Sequence, residues 1–352
     1  MYHIILCFLT SFMVTFIAIP SIIRIAKVKK LTDDPGERGS HNKSVPTLGG
    51  IGLFAGVIFS IILWTPFEVF GNLQYILCAF VIIFLIGAKD DLLPLTPYKK
   101  MIGQTFAAFI LVFKANIRIT SLYGIFGITL LPEWISILLS LFTILVIINA
   151  FNLLDGIDGF CASVGILICI TLGFWFKMTD QIVLCIIASA LLGSLMAFLK
   201  FNLTPAQIFM GDTGSMLIGI ICSILVIRFI EHPNIYNEFN FEINASPAIG
   251  VALLFLPLFD TLRVFIVRLI HQRSPFKADR QHVHHIILDS GLNHLQTTAL
   301  LLIINVIILG IIVSLQFLGN LNLVIIILSF SLFFAMFLEY LRIKKKVGKQ
   351  KI

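Results

Sequence analysis

The sequence predicts an all-α integral membrane protein, a polytopic helical bundle of about eleven transmembrane helices. Three observations predict it. Hydrophobic residues make up 59% of the chain and charged residues 12%, with a mean hydropathy of +1.03. Soluble domains lie nearer half apolar and a quarter charged. Apolar runs of about 20 residues recur along the whole chain, the length at which an α-helix, not a barrel strand, crosses a bilayer. The basic residues are also segregated, 21 of the 25 lysines and arginines falling in alternate polar segments.

Taken in order, the spans are expected at about 3–26, 47–65, 73–88, 100–115, 134–151, 160–177, 181–199, 212–230, 247–270, 297–318 and 322–341. The first lacks a basic leader and a small-residue cleavage site, so it reads as a retained helix. Arg24 through Lys43, Lys89, Lys99, Lys100, Lys200, Arg263 through Arg280 and the tail from Arg342 to Lys351 mark one set of polar segments. The other set holds only Lys114, Arg118, Lys177 and Arg228. Basic loops stay in the cytoplasm, which puts the N-terminus outside and the C-terminus inside, as an odd number of spans requires. Ile117 to Leu131 is β-rich around Gly124 and Gly127 and predicts a small external hairpin. No repeat or linker divides residues 1–352, which read as a single membrane domain. The six cysteines lie in apolar runs without C-x-x-C spacing and read as core residues, not as a disulfide framework or zinc site. A net charge of +7 suits basic loops beside anionic lipid. No basic–aromatic pattern points to nucleic acid.

Chemistry concentrates in five polar segments on the basic side, about 27–46, 89–100, 149–160, 200–212 and 271–296. Central among them is Asn149-Ala-Phe-Asn152-Leu-Leu-Asp155-Gly-Ile-Asp158-Gly. Asn149, Asn152, Asp155 and Asp158 recur every third residue and share one ridge while the chain is helical. Gly156 and Gly159 then allow a turn. Two carboxylates and two amides at a membrane helix mouth need a partner, and a divalent cation with phosphate ligands would supply one. Asp90 and Asp91 adjoin each other, which implies a nearby cation, a shared proton or simple solvent exposure. Lys99 and Lys100 open the next helix, where a phosphate meets ammonium groups and free backbone N–H; as ordinary interface lysines they would only snorkel. Asp212 stands between two glycines at a helix entry, either as an N-cap or as one of the few carboxylates that Mg²⁺ takes. Gly49 and Gly50 end a Pro-Thr-Leu-Gly-Gly run and permit close approach of a ligand or of a neighbouring helix. The Arg280-Gln-His282-Val-His284-His285 cluster suits phosphoryl oxygens, with a transition metal as the other reading.

These five motifs, in this order, resemble the polyprenyl-phosphate N-acetylhexosamine-1-phosphate transferases, and the resemblance covers nearly the whole chain. Eleven spans and the Arg-x-His-x-His-His run look like the WecA/TagO branch more than the MraY branch. The resemblance implies transfer of N-acetylglucosamine 1-phosphate from UDP-GlcNAc to undecaprenyl phosphate, releasing UMP and initiating a cell-envelope polysaccharide. The same transfer from another UDP-N-acetylhexosamine, GalNAc or a 6-deoxy sugar, is the nearest alternative. By motif matching, Asp212 and Asn152 would hold Mg²⁺ (or Mn²⁺), and Asp90 with Asp91 would position the lipid phosphate or act as base. Asp155 and Asp158 would shape the metal and nucleotide site, and Lys100, with Lys99 its rival, would hold a phosphate. Asn149, Gly49, Gly50, Arg280, His282, His284 and His285 would contact substrate. A bacterial cytoplasmic membrane location follows from the same resemblance, and a homodimer is compatible with it. An ion-coupled secondary transporter is the rival class. Transporters place such carboxylates near the bilayer midplane, often on repeated halves, and here they cluster at loop mouths.

Overall fold

The computed structural model describes residues 2–33, 45–203, 205–231, 242–272 and 282–349. Every expected span is helical within a few residues: α1 (Tyr2–Lys29), α2 (Gly49–Trp64), α3 (Leu73–Leu92), α4 (Pro97–Phe113), α5 (Glu133–Leu154), α6 (Phe160–Met178), α7 (Ile182–Asn202) and α8 (Gly211–Glu231). The ninth is split into α9 (Ser246–Leu253) and α10 (Phe255–Ile270). A short α11 (Val283–Asp289) precedes α12 (His294–Ser314) and α13 (Asn320–Lys349). Among the described residues eight helices are long and apolar enough to cross a membrane, nine if the bent pair counts as one span. The chain is therefore a mostly helical, multi-pass membrane protein. The expected second and fourth spans are short helices of 16 and 17 residues.

The expectation of one continuous ninth span needs correcting. α9 and α10 meet at 73°. Pro257 lacks the N–H that would close the ladder, and its ring would crowd the carbonyl of Leu253. The freed backbone groups are met by Asn305, buried on α12. It accepts from Leu256 N–H at 3.2 Å and donates to Ala252 C=O at 3.3 Å. Such side-chain repair is what makes a broken helix tolerable at membrane depth.

The bundle is organised around α8, which is buried along nearly its whole length. Its neighbours reach it through residues without side chains. A Cβ on Gly50 of α2 would lie 2.2 Å from Gly214 N, and one on Gly87 of α3 would lie 2.4 Å from Thr213 Cα. Backbones can approach this closely only where a side chain is missing. α1 is held to α7 by hydroxyls, Ser11 donating to Ala190 C=O at 2.6 Å and Thr15 pairing with Ser194 at 2.8 Å.

Outside the bundle, Thr32–Asp33 (β1) and Val45–Pro46 (β2) form a minimal antiparallel ladder, where a solvated loop is the simplest sequence reading. The hairpin expected over 117–131 is present in small form. Leu122 N–H donates to Thr129 C=O at 3.0 Å, Leu131 N–H to Thr120 C=O at 2.9 Å, and Gly124 turns the chain at φ +83. Five cysteines are buried as expected, while Cys78 faces outward.

Candidate active site

Four helix ends converge at one end of the bundle: the C-termini of α3 and α5 and the N-termini of α4 and α8. The α3 terminus brings Asp90 and Asp91, which do different work. Asp91 turns toward α8 and accepts from Asp212 N–H at 2.7 Å, Thr213 N–H at 3.1 Å and Thr213 Oγ1 at 2.5 Å. A carboxylate there satisfies the free N–H groups of a helix start and the positive end of its dipole. Asp91 is thus the cap of α8, the role that sequence alone offered to Asp212.

Because Asp91 caps the helix, the Asp212 side chain is free for other partners. It pairs with Lys100 of α4, whose ammonium also lies 2.5 Å from Asp90 Oδ2. Asp90 is steadied on its other oxygen by Leu95 N–H at 2.6 Å. Asn152 of α5 hydrogen-bonds Asp212 and donates to Ser215 Oγ at 3.1 Å. One ammonium therefore sits between two carboxylates, with an amide at the rim. Lys99 takes no part in this cluster among the contacts described.

The remaining expected residues lie around this centre. Asp155 sits at the end of α5, where burial, reinforced by the charges of Asp212 and Asp91, pushes its carboxyl up to about 7. Asp158 is deeper, 2% exposed, 3.7 Å from His294 Nδ1, and its backbone carbonyl accepts from Thr298 Oγ1 at 3.1 Å. It ties the turn to α12, and its charge also acts on Asp155. Asn149 lies one turn below Asn152, its amide given to Gln104 Oε1 and Leu145 C=O, both at 2.8 Å. Gly49 and Gly50 are buried, their N–H groups donated to Phe209 C=O at 3.0 Å and Met210 C=O at 2.8 Å. They serve the approach of a neighbouring helix, not an open ligand surface. Arg280 lies outside the described residues.

The histidines reach the site through α11. His284 packs so closely under the Asp155–Gly159 turn that a Cβ on Gly156 would lie 2.2 Å from its Nε2. It is 1% exposed, and neither ring nitrogen has a hydrogen-bond partner among the described residues. His285 is buried at 9% exposure beside it, the two rings 4.3 Å apart. His282 stacks on His284 at 5.6 Å and bonds Asp260 of α10. Gln104 and His294 escaped sequence reasoning. Each lies far along the chain from its partner, and a lone polar residue in an apolar run carries no signal of what it will meet.

Two burial effects give a pH signature. Burial holds the His284 imidazole down at about 3. The unfolded chain takes up that proton below about 6.5, so this residue's contribution to stability is lost as pH falls from about 6.5 toward 3. Asp155 has the opposite sign. Its folded carboxyl keeps its proton up to about 7, so its contribution is present at low pH and lost as pH rises from about 4 toward 7. The two slopes oppose each other in the same window. Asp155→Asn in metal-free protein is expected to be more acid-sensitive than the wild type, losing about 2 kcal/mol more between pH 6.5 and 5. Thermal unfolding in detergent with EDTA measures it, and parallel curves for the two proteins would contradict it.

The residues fit a magnesium-type cation. Asp212 and Asn152 offer oxygens, and the charges of Asp212, Asp91 and Asp158 all act on Asp155, with Lys100 the ammonium that pairs with Asp90 and Asp212 among the described residues. Among the described residues no three His, Cys, Asp or Glu side chains form a closed cage. That is expected for Mg²⁺, which keeps waters and substrate phosphates in its shell.

The profile described as glycosyl transferase family 4 matches residues 73–230, the stretch that carries Asp90, Asp91, Lys100, Asn152, Asp155 and Asp212. A decaprenyl-phosphate N-acetylglucosaminephosphotransferase of Mycobacterium leprae is 31% identical over 314 residues, 83% of this chain and 79% of the relative. An undecaprenyl-phosphate alpha-N-acetylglucosaminyl 1-phosphate transferase of Escherichia coli O157:H7 is 29% identical over 291 residues, 79% of this chain and 74% of the relative.

Proposed function

This chain belongs to glycosyl transferase family 4, among the polyprenyl-phosphate N-acetylhexosamine-1-phosphate transferases, and from that membership we propose its reaction in detail. The protein transfers N-acetylglucosamine 1-phosphate to undecaprenyl phosphate, with UDP-GlcNAc as donor and UMP as the released product. The observation that carries the reading is the Asp90–Lys100–Asp212 cluster at the mouths of membrane helices. A lipid phosphate and a soluble sugar nucleotide can meet only at such an interface, and both are anions that need cations to approach each other.

An oxygen of the lipid phosphate attacks the sugar-bearing phosphorus, the bond to the bridging oxygen breaks, and UMP leaves with that electron pair. Mg²⁺, or Mn²⁺ in its place, held by Asp212 and Asn152 would draw charge from the pyrophosphate and the leaving UMP. Lys100 offers its ammonium to a phosphoryl oxygen, and Asp90 aims that ammonium. A general base is not required, because a phosphate monoester with a second pKa of about 6 is largely dianionic at neutral pH. Burial raises Asp155 to about 7, so its carboxyl exchanges a proton near neutral pH, and a divalent cation held at Asp212 would favour its charged form. The histidine segment closes on the donor phosphates.

Topology follows the charge segregation: eleven crossings, N-terminus outside, C-terminus and site at the cytoplasmic face of a bacterial inner membrane. The product initiates a cell-envelope polysaccharide. Purified protein with undecaprenyl phosphate, Mg²⁺ and UDP-GlcNAc is expected to release UMP in proportion to lipid, and EDTA to abolish the release. Release from UDP-GalNAc but not UDP-GlcNAc would overturn the sugar. Silence of the folded protein with every UDP-sugar would overturn the reaction.

A further inference from the structure

One contact of the Arg280–His285 run is hidden by its spacing: His282 is held by a carboxylate from a different helix. Asp260 lies on α10, one turn past Pro257, and is 3% exposed. Its Oδ2 lies 2.8 Å from His282 Nδ1, and its Oδ1 accepts from Val283 N–H at 2.8 Å. One buried carboxylate thus grips both the ring and the first backbone N–H of α11.

Burying a carboxylate costs several kcal/mol unless it is paired and hydrogen-bonded. Both partners of Asp260 belong to the histidine segment, and none described belongs to α10 itself. The ring is further fixed in plane by stacking on His284 at 5.6 Å and an interplanar angle of 7°. With Nδ1–H committed to Asp260, Nε2 is the ring atom left to meet a ligand. In the protonated ring Nε2–H donates to a phosphoryl oxygen, with Asp260 as countercharge. The 73° break supplies the placement, because it redirects α10 and so sets the approach of Asp260 to α11.

We infer that Asp260 is a positioning residue for donor binding: with its carboxylate behind Nδ1–H it fixes the direction of the His282 ring, so that Nε2–H faces the sugar-nucleotide phosphates. The inference rests on the transferase reading above and goes beyond it, since Asp260 itself touches no substrate.

Asp260→Asn tests it, because an amide offers one acceptor and one donor in place of two acceptors. It can accept from Val283 N–H or from His282 Nδ1–H, not from both, so the ring turns or loses the acceptor that holds Nδ1–H. The KM for UDP-GlcNAc is expected to rise at least ~10-fold, the KM for undecaprenyl phosphate to stay unchanged, and the unfolding midpoint to move by only a few degrees. Asp260→Glu, which keeps the charge and both acceptors, should recover part of the loss. In a His282→Gln background Asp260→Asn should add less than about twofold, since nothing is left to position. A purely structural carboxylate would instead raise both KM values and multiply with His282→Gln, and that result would overturn the inference. If the amide variant does not fold, Asp260→Glu carries the test: a change confined to the UDP-GlcNAc KM supports the role, and no change or equal changes overturn it. A wild type that turns over alongside an indifferent Asp260→Asn removes this role alone. A silent wild type removes the transferase reading together with it.

Discussion

Replacing Asp212 by Asn is expected to lower UMP release by at least ~10³-fold while the helices stay assembled, because the interactions lost are worth about 4 kcal/mol of transition-state stabilisation. Among the described residues Asp212 is the one carboxylate that contacts Lys100, Asn152 and Asp90 together. An amide there keeps the shape, yet it removes the charge that a divalent cation and the ammonium both answer. The fold should survive because α8 is capped by Asp91, not by Asp212. Asp91→Asn should therefore show the converse pattern, a lower unfolding midpoint with a smaller loss of turnover. Initial rates of UMP release, read beside thermal unfolding of each variant, separate the two. Turnover of Asp212→Asn within tenfold of wild type would remove Asp212 from the chemistry.

Gly50→Ala is expected to cost both stability and turnover, the latter at least ~100-fold, through a single methyl group. Its Cβ would lie 2.2 Å from Gly214 N and 2.8 Å from Gly214 Cα, and backbone cannot rotate away as a side chain can. α2 must move off α8 by more than an ångström, which strains the Gly50 N–H bond to Met210 C=O at 2.8 Å. Overpacking of this kind costs about 1–3 kcal/mol. The disturbance lands on Thr213 and Gly214, directly after Asp212. Gly310→Ala is the matched control, since nothing lies within 4 Å of that added Cβ. It should leave activity intact and slightly favour its helix. Equal behaviour of the two variants would show that the α2–α8 approach is not what holds the site.

Hydropathy located every long helix because burial in lipid demands an apolar run of fixed length, and that demand is met residue by residue along the chain. The polar exceptions were legible for the same reason: Asp90, Lys100, Asn152, Asp155 and Asp212 stand out where a polar group is costly, and these are the residues that the fold gathers. Which of them does what could not be read from spacing. Asp90 and Asp91 are neighbours in sequence, and only the direction of each side chain at the end of α3 makes one a partner of Lys100 and the other the cap of α8. Gly49 and Gly50 are equally suited to a ligand or a helix until α8 arrives against them. Asp260 and His282 are 22 residues apart, with a 73° helix break just ahead of Asp260. Partition into a membrane is a local free energy, written into each segment separately. Pairing between charges is a property of two elements at once, and it exists only after the helices have packed.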